Sequence, residues 1–337
     1  MNTTLAGMPA VVTPPDLELI DEVLDMSELD GKTTKKYKQH LLEFRAYLDE
    51  KAAGKPLSAV EKNDVKRFLA DLMHGKRYGM TGDGKPRQGE LSPSTRKSVV
   101  SALRALYVHC IDLYGLPLDP CYRITVKQPK PKRGLTISEA DVKRILDAPG
   151  RERDRVQAHL KFYTAARTIS LRNLLWSDVD FERNVIHFDA KFNDAYTVHM
   201  HPQLKAALLR WRDAVEKQAE RRQAVRVALT DPDTAFVLLT CNGLPLCHTS
   251  IAKQCKLRAA RVGVLLHHDP SKVGKENWSR IHPHAFRRTA ATLLREKGAD
   301  LADVADLLHH KDINTTRDHY AFTSTARKKK TVMGLTL

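Results

Sequence analysis

The stretch HAFRRTAATLLREKGADLADVADLLHHKDINTTRDHY, from His284 to Tyr320, decides how the second half of this chain folds. Its first part is an apolar helical pattern that Gly298 ends, and Asp300 then stands where the N-cap of a second helix is expected. Two histidines close that second run, and Tyr320 stands ten residues beyond His310 in a polar, charged stretch. The tyrosine is either a packing residue of a last helix or a side chain placed to attack a substrate.

A phosphate site is predicted where the first of these helices begins. His284 and Arg287 lie three residues apart, so both side chains face one point. Pro283 suits a first helical turn, where a missing N–H costs nothing. The positive end of the helix attracts a phosphate, and the planar fork of Arg287 matches phosphate oxygens in a way that a lysine does not.

A second arginine, Arg167, lies in YTAARTISLRNLLWSDV. Taken singly, these residues are weak signals, because an arginine or a histidine is usually a solvated polar side chain. Two guanidinium forks and two imidazoles around one hydroxyl nevertheless have a natural use. They would hold a pentacovalent phosphorane while a tyrosine oxygen attacks.

The charge of the chain indicates a polyanionic partner. Its 337 residues carry 56 Lys and Arg against 40 Asp and Glu, a formal net charge of +16. Nucleic acid is the first candidate partner and an anionic membrane surface the second. No apolar run approaches the roughly 18 residues needed to span a bilayer, and the N-terminus lacks the pattern of a signal peptide. We therefore expect a cytoplasmic protein whose five cysteines are free thiols.

The N-terminal part is predicted to be a proline-containing arm, 1–30, with a short helix from Asp16, followed by a small helical domain, 31–121. Apolar stripes at spacings of three and four predict its helices, and the third helix begins at Ser92-Pro93-Ser94. The basic, proline-containing segment 122–135 is predicted to be a linker.

The second domain, 136–325, is predicted to begin with a helix capped by Thr136, because Glu139 follows at capping-box spacing. A β-hairpin is predicted further along, in NVIHFDAKFNDAYTVHMHP, where apolar residues flank a polar turn. Lys191 lies near the tip of that hairpin.

The stretch from His284 to Tyr320 resembles the second signature box of the tyrosine recombinases, the phage-integrase and Xer-like family: H-x-x-R, an apolar helix, L-G-H, a T-T pair and the nucleophilic Tyr. YTAARTISLRNLLWSDV resembles the first box, with Trp176 and Asp178 where that pattern has them relative to Arg167. AKFNDAYTVHMHP resembles the family hairpin that carries a catalytic lysine. The resemblance spans roughly residues 31–325.

The resemblance implies a mainly α fold with a small β-sheet (α+β), in which a helical, SAM-like core-binding domain precedes the catalytic domain. It also implies that Tyr320 attacks a DNA phosphodiester and forms a 3′-phosphotyrosyl link. Arg167, Arg287 and His310 would hold the non-bridging oxygens. The remaining two catalytic residues would move protons: His284 would take the Tyr proton and Lys191 would protonate the leaving oxygen.

Double-stranded DNA bearing a recombination site is the implied partner, bound by both domains, with a homodimer on each site and a tetramer in the synapse. No cofactor or metal is implied, since arginines supply the charge that a metal supplies elsewhere. The tail, 326–337, begins with the basic run from Arg327 to Lys330. It either docks on a neighbouring protomer or is a frayed basic terminus.

The chain departs from the family pattern at four places. His309 stands where glycine is usual before the late histidine, and Tyr320 follows that histidine by ten residues where nine is commoner. Ser170 replaces the usual acidic residue three after the first arginine, so any support from that carboxylate must come from elsewhere or be absent. TAAR replaces a glycine-containing turn.

Three alternatives stay open at this point. A type IB topoisomerase would use the same residue types, although the linked helical domain favours a recombinase. A non-catalytic DNA-binding protein could keep the same fold. A zinc site from Cys241, Cys247 and His248 has a spacing that fits no common structural-zinc pattern.

Overall fold

The structure, a computed structural model, describes residues 13–27, 29–81, 84–129, 134–188, 195–265 and 279–309. The chain divides into two compact units, Met1–Lys130 and Pro131–Leu337. Each unit has its own apolar core. The more detailed domain bounds given above stay a prediction.

The N-terminal unit is built from helices. Those described are α1 (Asp16–Asp25), α2 (Gly31–Lys51), α3 (Lys62–Met73) and α4 (Pro93–Tyr114), with a 3-10 turn at Leu57–Ala59. The helix expected from Asp16 is therefore present, and its Leu19 and Ile20 are fully buried in the same core as Phe44 of α2 and Phe68 of α3.

Short polar side chains set where these helices begin. Asp30 accepts N–H hydrogen bonds from the first turn of α2. Ser92 accepts one from the Thr95 N–H at 3.1 Å, and Pro93 follows it in the first turn, as the sequence predicts. Gly115, with a φ of +66°, ends α4 in the left-handed conformation that glycine adopts without cost.

A buried ion pair holds the glycine-rich loop that follows α3. The side chain of Glu43 on α2 is 1% exposed, and its carboxylate accepts from Nε and Nη2 of Arg77 at 2.6 Å and 3.0 Å. Arg87 lies 3.6 Å from the same carboxylate. Because the two arginines flank the bridge that pairs Met80 with Pro86, Glu43 fixes both arms of the loop to α2.

We expect Glu43→Ala to lower the free energy of unfolding of the N-terminal unit by about 3 kcal/mol, because it leaves largely buried guanidinium charge without a partner. Glu50→Ala on the same helix is the matched control, since Glu50 pairs with Lys51 in solvent. That change should cost less than about 1 kcal/mol. Urea unfolding of the full chain measures both, and equal effects would contradict the importance of the buried pair.

The C-terminal unit contains the remaining described helices. They are α5 (Glu139–Asp147), α6 (Glu152–Tyr163), α7 (Thr168–Asn173), α8 (Pro202–Arg221), α9 (Gln223–Ala228), α10 (His248–Arg261), α11 (Pro283–Glu296) and α12 (Leu301–Leu308). The predicted N-cap at Thr136 is wrong. Ser138 caps α5 instead, because its hydroxyl accepts from the Asp141 N–H at 3.1 Å.

In the described part of this unit, the β-sheet has three antiparallel strands in the order β1 (Val179–Asp180), β2 (Val185–Phe188) and β3 (Tyr196–His199). The strands of the predicted hairpin are confirmed, with Phe188 opposite Tyr196 where the described strands end. Its predicted turn lies outside the described residues. Sequence patterns missed β1, because two residues are too few for an alternation to show.

Helix α6 is the centre of the C-terminal unit, since it contacts α5, α8, α10 and α11. The chain leaves α6 at Tyr163 and reaches Arg167 within one turn of backbone, while α11 carries Arg287 against the same helix. The packing of α6 against α11 therefore brings the two arginines that the sequence singles out to one region.

Candidate active site

Arg287 and Arg167 come together at the C-terminal end of α12. Arg287 on α11 is 6% exposed, and its Nη1 donates to the Ala165 carbonyl at 2.7 Å. Its Nη2 donates to the carbonyl of Leu308, the last residue of α12. Arg167, the N-cap residue of α7, donates from Nη2 to the His309 carbonyl at 3.4 Å. Two arginines far apart in sequence thus bind adjacent carbonyls.

Two left-handed residues shape this junction. Ala165 has a φ of +49° and His309 a φ of +47°. For residues other than glycine, this conformation costs roughly 1–2 kcal/mol. The Ala165 carbonyl is an acceptor for Arg287, and the His309 carbonyl is one for Arg167. The chain thus has the backbone conformation that glycine favours at both places, and an arginine binds the carbonyl at each.

His284 lies three residues before Arg287 on α11, with its side chain exposed at the helix start. Partial desolvation of the imidazole lowers the pKa of His284 below its ordinary value, and the neighbouring His282 and Arg287 add to that effect. The ring is therefore neutral at pH 7, which is the form that accepts a proton.

A tyrosine also lies at this junction. Tyr196, the first residue of β3, stacks on the imidazole of His309 with ring centroids 3.3 Å apart. Burial is the main reason that the pKa of Tyr196 is raised. Burial also lowers the pKa of His309 to about 4, with help from Arg287 and Arg167. The His309 ring is therefore neutral.

Nothing in the sequence singles out Tyr196 as a neighbour of His309. In the pattern it is one apolar position of an alternating strand, and Ser170 and His309 appear only as departures from the usual residues. No spacing rule connects a strand residue with a helix end more than a hundred residues later. The available signal was the departure at His309, where an imidazole ring stands in place of glycine.

The other three predicted catalytic residues, Lys191, His310 and Tyr320, lie outside the described residues. Lys191 belongs to the connection between β2 and β3, and His310 directly follows the described end of the chain at His309. Their roles stay predictions.

Within the described ranges, no three His, Cys, Asp or Glu side chains come together to hold a metal ion. All five cysteines are free thiols; Cys110, Cys121 and Cys255 are buried, and Cys241 and Cys247 are exposed. Cys247 caps α10 by accepting from the Ser250 N–H. The zinc alternative gains no support from this part of the chain.

Among the helices in the described part of the chain, none has the length and apolar character required to cross a membrane.

Comparison with known proteins places the C-terminal unit in a family. Residues 136–327 match the model of the Phage integrase family. The tyrosine recombinase XerC of Lactobacillus delbrueckii subsp. bulgaricus is 24% identical over 298 residues, which cover 82% of this chain and 91% of that protein. The similarity therefore extends beyond the C-terminal unit.

Solved structures share the fold. The XerH site-specific recombinase bound to a palindromic difH substrate, a post-cleavage complex, matches with a TM-score of 0.66 and 18% identity over 89% of this chain and 79% of that chain. A lambda integrase dimer bound to a core site matches with a TM-score of 0.62 and 13% identity over 91% of this chain and 95% of that chain. The expected mainly α fold with a small sheet is confirmed.

Proposed function

Because the chain belongs to the phage integrase family of tyrosine site-specific recombinases, we propose that Tyr320 cuts and rejoins duplex DNA through a 3′-phosphotyrosyl intermediate. The observation that carries this proposal is that Arg287 and Arg167 bind two adjacent carbonyls. These are the carbonyls of Leu308 and His309, at the end of α12. The next residue along the chain is His310, and Tyr320 follows it by ten residues. The proposed nucleophile is therefore eleven residues along the chain from the carbonyl that Arg167 binds.

The proposed reaction exchanges one ester for another. The Tyr320 oxygen attacks the scissile phosphorus, a Tyr–O–P bond forms, and the bond to the 5′ oxygen breaks. His284 accepts the phenol proton and Lys191 protonates the leaving oxygen. The new phosphodiester keeps the energy of the old one, so a 5′-hydroxyl of another strand can reverse the step without ATP.

The arginines supply the charge that stabilises the transition state. Arg167, Arg287 and His310 are proposed to hold the non-bridging oxygens, where negative charge gathers in the phosphorane. A planar fork offers two donors to such oxygens, and Arg287 is already fixed by its backbone contacts before DNA arrives. In this proposal no metal or cofactor is needed.

The lowered pKa of His284 predicts the pH dependence of cleavage. The neutral ring is the base, so the rate should fall only as the pH drops through a value below the ordinary histidine pKa of about 6.5. Cleavage at subsaturating DNA reports this ionisation in the free enzyme. We expect an acidic limb with a midpoint under about 6.5 in the wild type and its loss in His284→Gln. A wild-type midpoint at or above that value would contradict the assignment.

Duplex DNA carrying a recombination site is the proposed substrate, with a dimer on each site and a tetramer when two sites exchange strands. The net charge of +16 and the DNA-bound state of the solved relatives support this proposal. Much of the affinity should come from counterion release and fall steeply with salt. The protein would then act in the cytoplasm, on the nucleoid.

One assay separates this function from its alternatives. Full-length protein is incubated in chelator with a nicked site, which releases a short fragment after cleavage and so prevents rejoining. A covalent protein–DNA adduct is expected, whereas a binding module without chemistry forms none. A substrate with two sites then yields exchanged products from a recombinase and only relaxed circles from a topoisomerase.

A further inference from the structure

Two arginines of α10 converge beside a glycine that lies between α5 and α6. A Cβ built on Gly150 would lie 2.4 Å from Nη1 of Arg261 and 3.7 Å from Nη1 of Arg258. The φ of Gly150 is +145°, which glycine adopts readily and other residues rarely do. Because this residue has no side chain, both guanidinium groups are directed at the same small volume. Gly150, Arg258 and Arg261 are called the Gly150 cradle below.

Arg258 forms the buried floor of the cradle. It is 2% exposed, and its Nε and Nη2 donate to three carbonyls at the C-terminal end of α5, at distances between 2.6 and 2.8 Å. Its Nη1 is buried and has no hydrogen-bond partner in the described part of the chain. Since the other nitrogens are fixed, Nη1 stays directed at Gly150. A buried donor of this kind is costly unless an ion or a water molecule satisfies it.

The acidic residues nearest to the cradle are paired with other arginines. Glu152, in the first turn of α6, lies 3.4 Å from Arg155 and 3.6 Å from Arg210. Asp154, in the same turn, lies 3.7 Å from Arg153. Within the described ranges, neither arginine of the cradle forms an ion pair with a carboxylate. The positive charge of the cradle therefore lacks a direct counter-charge from the protein.

Both arginines of the cradle carry charge at pH 7, and one of them can move. Burial is the main reason that the pKa of Arg258 is lowered to about 10, and Arg155 and Arg261 add to the effect against the opposite pull of two carboxylates. Arg261 is exposed, and its Nη1 donates to the Pro149 carbonyl at 3.3 Å. A long exposed side chain held by one weak bond can turn outward and let an anion reach Arg258.

We propose that the Gly150 cradle binds a tetrahedral oxyanion of the phosphate class, held by Nη1 of Arg258 and by the guanidinium of Arg261. Guanidinium groups match the oxygens of such an anion with paired N–H donors. The start of α6 adds to the attraction, because Arg151 at its N-cap makes no side-chain hydrogen bond to the N–H groups of the first turn. This site goes beyond the proposed function and does not depend on the chemistry of Tyr320.

Melting of the full-length protein in inorganic phosphate, compared with chloride at the same ionic strength, tests the site. An anion that binds only the folded state raises the melting temperature, by roughly 2–4 °C at about five times its Kd. Arg261→Gln removes one guanidinium group, and Gly150→Ala places a methyl group in the cradle. Each variant should lose that rise. Phosphate held by Arg167 and Arg287 acts equally in every variant, so the difference from the wild type isolates the cradle.

Two matched controls separate the cradle from backbone strain and from lost charge. Gly263→Ala replaces another glycine of positive φ, +68°, but its Cβ would lie 3.8 Å from the closest side-chain atom, Nη2 of Arg144. Arg144→Gln removes an exposed arginine that donates to a backbone carbonyl, as Arg261 does, and that already pairs with Asp141 at 2.9 Å. Both controls should keep the full phosphate effect of the wild type.

The salt dependence of DNA binding identifies the source of the phosphate group. If the cradle holds a phosphate of the DNA backbone, Arg261→Gln should lower the slope of log Kd against log salt concentration by about one. If it holds a small free anion, the slope should stay at the wild-type value while the difference in melting temperature persists. Arg144→Gln should leave the slope unchanged in either case.

A wild-type protein without a phosphate effect would overturn the inference, as would a full effect in both Arg261→Gln and Gly150→Ala. Equal losses in the two controls would also overturn it. Cleavage at saturating DNA should stay within about twofold of the wild type in all four variants. A wild-type protein that forms no adduct at Tyr320 would instead refute the proposed function and would leave the phosphate effect in place. The two failures are therefore distinguishable.

Discussion

A Tyr320→Phe variant is expected to form no covalent adduct with a nicked recombination site. The substitution removes one oxygen, and without it the phosphorus has no attacking group from the protein. Neighbouring polar residues such as His319 do not replace it, because the stable 3′ ester requires an oxygen of low basicity that can leave again in the reverse step. The expected loss of adduct is therefore complete within detection.

Binding should survive this change. The phenol hydroxyl contributes little to affinity compared with the phosphate contacts of the whole protein, so the Kd for the same DNA should stay within about twofold. Gel-shift titration and denaturing electrophoresis measure binding and adduct on the same samples. An adduct that persists at even a tenth of the wild-type amount in Tyr320→Phe would assign the nucleophile to another residue.

Arg287→Lys is expected to lower the cleavage rate at saturating DNA by about a hundredfold or more. The guanidinium donates to two carbonyls, those of Ala165 and Leu308, and is proposed to bind a phosphate oxygen as well. An ammonium on a flexible stem keeps the charge but lacks the planar fork that makes these contacts at once. The rate should fall even though the charge is retained.

Arg295→Lys is a matched control for this prediction. Arg295 lies on the same helix and also donates to a backbone carbonyl, that of Ala299, at 2.9 Å. The Arg295→Lys change should leave the cleavage rate within about twofold of the wild type. Its guanidinium binds the carbonyl of Ala299 and not the carbonyls that Arg167 and Arg287 bind. Equal losses in the two variants would mean that Arg287 acts through the stability of α11 and not through the phosphate.

The part of the site on α11 could be located from the sequence because its residues lie at fixed positions on a regular element. Arg287 follows His284 by three residues, and the structure confirms the helix that begins at Pro283. The residues of β3 alternate between partly or fully buried and exposed, as in a half-buried sheet, whereas β2 buries Val185 and Ile186 in succession. The convergence of Arg167 with Arg287 came only with the family pattern, because no local rule connects them.

The unexpected features depend on backbone conformation and on contacts between distant segments. The left-handed conformation of Ala165 and His309 runs against the preference of both residue types, so propensity argues against it. At both residues an arginine, Arg287 or Arg167, binds the carbonyl. The stack of Tyr196 on His309 likewise depends on the tertiary fold that brings β3 to the end of α12.

The position of the covalent bond tests the central claim most directly. Wild-type protein is trapped on a nicked site, the adduct is digested with protease and nuclease, and the peptide that carries the residual nucleotide is fragmented in a mass spectrometer. The account predicts a 3′-linked nucleotide on Tyr320. A nucleotide on any other residue, or a link through the 5′ phosphate, would contradict it.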